Sequence, residues 1–165
     1  MGADLFIRDR YKKLEKKYEP KFYDAVKKRY EASTEADKEK YQKLVIYYYD
    51  KYHAKDVYFR DCYNPSGLMW VLRHNLKDDS YSWWTWNSGK YFFDESGDNL
   101  TVEGQEAFLN KMLHARRMLV NSRLEYENGD MMSDEDEFNY RQRLERLIYF
   151  MREAIKSGEP LEWSV

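Results

Sequence analysis

Cysteine, proline and glycine are all scarce in this chain of 165 residues, which has one Cys, three Pro and seven Gly. The lone Cys62 excludes an intrachain disulfide and argues against a stapled secreted scaffold. With so little Gly and Pro there is no linker tract, and no internal repeat is present, so a single domain over residues 1–165 is expected. Long hydrophobic runs are missing too. The longest fall short of the roughly 20 residues of a membrane span, and the opening MGADLFIRDR places Asp4 where a signal peptide would be apolar. Gly2 invites a myristoylation reading, but the hydroxyl residue that signal needs is Phe6. The expected location is cytoplasmic, with no membrane association.

Catalytic and metal motifs are absent as well. No G-x-S-x-G, P-loop or G-x-G-x-x-G occurs. His53, His74 and His114 stand in no ligand spacing, and Cys62 has no cysteine partner for zinc. DESGDNLTVEGQE has the acids of a calcium loop at its start, but Asn99 takes the glycine position and Gln105 the final glutamate position. The acids at 134–137 fall in the first turn of a helix, where they favour its dipole. No catalytic residue, metal or cofactor is expected. A small hydrolase using Asp61 or Cys62 is the least favoured reading.

Charge and aromatics are what the chain does have. The formal charge is −2, which speaks against general nucleic-acid binding, but it is unevenly spread. Residues 1–56 hold 15 Lys and Arg against 11 Asp and Glu; residues 57–165 hold 13 against 19. That dipolar division suits a charged partner or a head-to-tail homo-oligomer. Aromatic residues make up 18% of the chain, including 16 Tyr and 5 Trp. Tyr and Trp join large contact area to a polar tip, so they serve interfaces, pockets and cores alike.

Periodicity predicts a mainly α fold: a single-domain helical bundle with an N-terminal helical hairpin, two long helices after residue 100 and at most a minor strand element. Tyr11, Leu14, Tyr18, Phe22, Ala25, Val26 and Tyr30 recur in threes and fours over 9–30, with Pro20 inside, kinking one helix or opening a second. Thr34 and Asp37 make a capping pair before a stripe of Tyr41, Leu44, Val45, Tyr48 and Tyr52. Asn64-Pro65 reads as the start of a short helix running to Leu72. Thr101 caps a helix from 102 to about 127, closed by Asn128-Gly129, and Ser133 caps the last, which ends near Ser157-Gly158. Strand signal is confined to DLFI and GKYFF. Arg116, Arg117 and Arg123, and then Arg141, Arg143, Arg146 and Arg152, place guanidinium groups on the two long helices, to face phosphate or to pair with Glu145 and Glu153.

One segment breaks the helical pattern. YFRDCYN, residues 58–64, sets Arg60, Asp61, Tyr63 and Asn64 beside Tyr58, just before a helix N-terminus that favours anions. Trp70 and Arg73 share a face of the following helix, and Trp83, Trp84 and Trp86 offer flat π surface. MGADLFI, YFRDCYN, Trp70 and SWW (82–84) together resemble a family of small, uncharacterised bacterial and phage-associated proteins that open M-G-A-D-L-Y-I and carry Y-F-R-D-S-Y-N and S-W-W. The resemblance covers the first half of the chain, with Cys62 replacing the usual Ser, and it implies the place of a site without an activity. The leading expectation is therefore a non-enzymatic binding protein. Its pocket is lined by Tyr58, Arg60, Asp61, Tyr63, Asn64, Trp70, Arg73, Trp83, Trp84 and Trp86. It takes up a small anionic or nucleotide-like ligand, as a phage protein sequestering an immune signalling nucleotide would. The alternative is a protein–protein inhibitor or adaptor, of an anti-defence type, that uses exposed Tyr and Trp as hot spots. A concave cluster of converging Arg groups would favour the ligand, and a flat exposed aromatic patch the protein partner.

Overall fold

A computed structural model of the chain describes residues 2–83, 99–159 and 161–164. In its first segment Ala3, Leu5 and Ile7 are buried and Asp4 and Phe6 are not, the period-two pattern of a strand with one face on a core. This strand, β1 (Gly2–Ile7), pairs antiparallel with β2 (Tyr58–Cys62) on one side and β4 (Leu161–Ser164) on the other; the two-residue β3 (Asn99–Leu100) completes the order β2-β1-β4-β3. Leu5 lies opposite Phe59, and Phe6 opposite Glu162. The DLFI signal is thus met. GKYFF lies outside the described residues.

Five helices hold most of the described residues: α1 (Arg8–Glu31), α2 (Glu35–Tyr52), α3 (Leu68–Leu76), α4 (Val102–Leu119) and α5 (Asp134–Ser157). The fold is mainly α with a small sheet, as expected. Three starts are set by the hydroxyl caps read from the sequence. Thr34 Oγ1 accepts from Asp37 N at 3.1 Å, Thr101 Oγ1 from Gly104 N at 3.1 Å, and Ser133 Oγ from Asp136 N at 3.1 Å. Pro20 neither ends α1 nor opens a new helix. It is exposed, so water can take the Lys16 carbonyl that its missing N–H leaves free.

Three boundaries differ from the sequence reading. The third helix begins at Leu68, because Asn64 makes a local turn: its side-chain oxygen accepts from Ser66 N at 3.2 Å and its carbonyl from Gly67 N at 2.8 Å. Gly67 is the N-cap, and a Cβ there would sit 2.0 Å from the Cys62 carbonyl oxygen, so the approach of β2 to α3 requires glycine. α3 then runs on to Leu76, past the expected end at Leu72, and closes on the left-handed Lys77. The fourth helix stops at Leu119 rather than near 127. Arg141 on α5 donates to the Leu119 and Ser122 carbonyls at 2.8 and 2.6 Å, and Met132 N bonds Leu124 O at 2.9 Å, folding 120–132 into a short loop whose turn holds Asn128-Gly129.

The core lies between one sheet face and α3–α5. Ala3, Leu5, Ile7, Phe59 and Leu161 pack with Leu72, Phe108, Met112, Leu147, Phe150 and Met151, all nearly or fully buried. The α1–α2 hairpin is different. Its helices pack chiefly on each other, Ala25 is the one buried residue of α1, and α2 has none.

Candidate functional site

Strand alternation decides the fate of the YFRDCYN corner. Phe59 and Asp61 point into the core, while Tyr58 and Arg60 point to the opposite sheet face, so Arg60 and Asp61 cannot bridge each other. The Asp61 carboxylate is fully buried. It accepts from Leu68 N at 2.9 Å, Met69 N at 3.3 Å and Trp83 Nε1 at 2.7 Å, and it pairs with the Arg143 guanidinium of α5. Asp61 therefore fills the N-terminus of α3 in the manner of a cap, seven residues upstream of the first amide it serves. An external anion finds that helix terminus already occupied. Arg143 also donates to the Ser66 carbonyl at 2.9 Å, which Tyr140 Oη reaches at 2.9 Å, so one node ties β2, α3, Trp83 and α5 together.

On the other sheet face Tyr58 Oη donates to Asp4 Oδ1 at 2.6 Å, and Arg60 Nε lies 3.5 Å from the same oxygen. Burial, then the Asp4 carboxylate, pushes the Tyr58 phenol well above the ordinary tyrosine range. Tyr63 is pushed up to about 12 by burial first, with Asp4 and Asp61 adding to it. Asn64 is exposed and spent on its own turn.

A third location holds Trp70 and Arg73, with the guanidinium 5.8 Å from the indole centroid and Arg73 Nε donating to Asp79 Oδ1 at 2.7 Å. Together with His74, Lys77 and Glu127 they line a shallow hollow of about 370 Å³. A smaller one of about 100 Å³ lies among Cys62, Tyr63, Trp70, Tyr81 and Trp83. The sequence-selected residues thus divide into a buried node, a sheet-face pair and a Trp70–Arg73 shelf. Trp84 and Trp86 lie outside the described residues. Cys62 Sγ is 3.4 Å from Ser66 Oγ, and no histidine bonds it among the described residues. Among those residues, too, no three His, Cys, Asp or Glu side chains gather as a metal-ligand set, and no helix is long and apolar enough to cross a membrane. Of the long-helix arginines, Arg116 pairs with Glu145 at 3.3 Å, while Glu153 is met by Lys156 at 3.9 Å.

The surface that the sequence reading passed over is the hairpin. Tyr30, counted there as part of an apolar stripe, is 81% exposed; Tyr23, Ile46, Tyr47 and Tyr49 are exposed as well. Phe22 and Tyr49 meet at 6.0 Å between centroids, and Tyr30 and Gln42 line one hollow near the hairpin tip. That antiparallel register, with the helical spacings 23/30 and 42/46/49, puts Tyr23, Tyr30, Ile46 and Tyr49 on one side of the hairpin. Tyr47 faces the other side, under the Lys51 ammonium at 5.6 Å. Residues 8–52 carry 14 Lys and Arg against 9 Asp and Glu. At its base, Tyr11, Tyr52, His53 and Tyr58 pack between the hairpin and the sheet, with centroids 3.8–6.2 Å apart.

No protein-family model, curated protein or solved structure matches the chain. Its function is argued from these residues alone.

Proposed function

We propose that the chain is a non-enzymatic protein-binding module, an adaptor or inhibitor, whose α1–α2 hairpin sets an aromatic face against an acidic surface of a partner protein. The observation that carries this reading is that α2, a helix of 18 residues, buries none of them, while Tyr23, Tyr30, Ile46 and Tyr49 stand exposed on one side of the hairpin. Helices of folded domains bury an apolar stripe, and exposed aromatic clusters of this kind supply interface anchors. Lys and Arg outnumber Asp and Glu by five on the hairpin, which steers an acidic partner and opposes the pairing of two hairpins.

The test is a photo-crosslinking residue at position 46 of the full chain, in the cells it comes from, with position 106 on α4 as control. A single acidic protein is expected to attach at 46 and not at 106. Titrated afterwards, that protein should lose affinity by about tenfold or more on Tyr30→Ala or Tyr23→Ala. Crosslinking to a second copy of the chain, or an affinity indifferent to both tyrosines, overturns the reading.

A second reading, a binder of a small anionic or nucleotide-like ligand, is favoured by one observation: the Trp70 ring lies beneath Arg73 with His74 and Lys77 around the same hollow. Calorimetry with linear and cyclic nucleotides separates the two, since heat abolished by Trp70→Ala and untouched by Tyr30→Ala belongs to this shelf alone.

A further inference from the structure

Among the described residues β2 forms one border of the sheet, and its backbone shows which of its groups are free there. Ile7 N donates to Val57 O at 3.0 Å, and Leu5 and Ala3 lie opposite Phe59 and Asp61. In an antiparallel ladder this phase turns the Val57 C=O and the N–H and C=O of 59 and 61 toward β1, and those of 58, 60 and 62 outward. Tyr58 N is taken by Ala54 O at 2.9 Å, and the Cys62 carbonyl is covered by Gly67. The Tyr58 carbonyl, both backbone groups of Arg60 and the Cys62 N–H remain without a hydrogen-bond partner among the described residues. A run of open edge groups is a template for another strand.

Both sides of that edge are basic. On the outer sheet face stands Arg60, whose side chain is 58% exposed and whose Nε lies 3.5 Å from the Asp4 carboxylate. On the α5 side Arg146 lies 6.0 Å from the Phe59 ring centroid and Arg143 reaches Asp61, so α5 runs alongside β2. A hollow of about 580 Å³ flanks the strand there, lined by Lys55, Gln142, Arg143, Arg146 and Tyr149. Glu145, the acid at its rim, is engaged by Arg116. Arg146 has no acidic partner among the described residues, and its Nε is buried without a hydrogen bond.

We infer that the β2 edge is a strand-addition site for an extended acidic peptide segment of a partner protein, bound by the backbone of Arg60 and flanked by Arg60 on one face and Arg146 and Lys55 on the other. Backbone bonding gives such sites their affinity, and the side chains alternating above and below give specificity. The outward pairing favours acid on both faces of the added strand. A second copy is the wrong occupant: two-fold pairing of β2 edges in the register of greatest overlap sets Arg60 opposite Arg60, and like charges directly opposite are destabilising. The site stands apart from the hairpin face and does not depend on it.

The probe is a fluorescein-labelled heptapeptide, Val-Val-Glu-Glu-Glu-Val-Val, whose consecutive Glu side chains fall on both faces of an added strand, titrated into the full chain by anisotropy. Saturable binding is expected, weaker by about tenfold or more when Lys replaces the peptide's Glu, and abolished when the central peptide amides are N-methylated. Arg146→Glu should weaken binding by a similar factor without touching the edge. Arg60→Pro should remove it, because the N–H it deletes points away from β1. Should that variant fail to fold, the N-methylated peptide probes the same bond from the other side. Absence of saturable binding, equal binding of the Glu and Lys peptides, indifference to N-methylation, or a β2-mediated dimer of the free chain would each overturn the inference.

Discussion

The body and the hairpin solve the same problem with opposite economies of burial. In the body, three helices and a sheet close on aliphatic and aromatic side chains that are almost wholly enclosed, among them Leu147, Phe150 and Met112. In the hairpin, two helices roughly 36 and 27 Å long lean on each other through half-buried Tyr, Leu and Phe, and only Ala25 is buried. A two-layer contact of this kind leaves the outward side of each helix wet. That difference teaches where to look for function: Asp61, at the centre of the polar cluster, is buried in the body, whereas Tyr23, Tyr30, Tyr47 and Tyr49 of the hairpin stand exposed.

The largest expected effect is at the node that holds the body together. Asp61→Ala leaves two α3 amides, Trp83 Nε1 and the Arg143 guanidinium short of the acceptor they share. Breaking such a buried group should cost about 3 kcal/mol or more in urea unfolding. Asp61→Asn keeps the volume and part of the bonding and should cost less. If Asp61→Ala were stable but lost binding of an acidic or nucleotide-like ligand, the node would be a site and the comparison would fail.

Next in size is a matched pair of deletions. Leu147→Ala, in the closed core, should destabilise by about 3 kcal/mol. Leu44→Ala, in the half-open hairpin seam, should cost about 1 kcal/mol, because water already reaches part of that side chain. Equal losses would mean that the hairpin is packed as tightly as the body. Hydrogen exchange sharpens the contrast, with α2 amides expected to exchange well before those of α5.

What was legible in the sequence follows the range of the forces involved. Thr34, Thr101 and Ser133 act within three residues, and their caps could be read directly. The DLFI strand and the extended stretch at 58–62 could be seen as local conformations, and the register that pairs them could not. Asp61 eluded the reading for the same reason: its partners lie seven, eight, 22 and 82 residues away, with no spacing to announce them. Arg60, its neighbour in sequence, points the other way. The hairpin itself was read from its two stripes, but its exposed aromatic side was not: Tyr23, Ile46, Tyr47 and Tyr49 fall between the stripe positions, and only their exposure in the folded hairpin picks them out. The end of α4 was misread because Arg141, 22 residues beyond Leu119, takes the carbonyls that a continuing helix would have used.

The smallest effect concerns the joint between the two regions. His53 packs at a tilt against Tyr52, Tyr49 and Tyr58 with centroids at 3.8, 4.2 and 4.4 Å, and its Nδ1 lies 3.2 Å from the Tyr49 carbonyl. Burial lowers its pKa; the Tyr49 carbonyl and Asp4 oppose that, and Arg60 and Arg146 add to it. The folded joint therefore prefers neutral histidine. As pH falls below the ordinary histidine value of about 6.5, the unfolded chain takes up the proton first, and stability declines until the folded ring is protonated too. Above pH 7 this group contributes no slope. Urea unfolding at pH 8 and pH 5.5 should show a small loss at the lower pH that His53→Phe, which keeps the ring packing, abolishes. A His53→Phe variant that loses as much stability as the parent chain would place the slope elsewhere, and the aromatic joint would then be indifferent to the charge of its histidine.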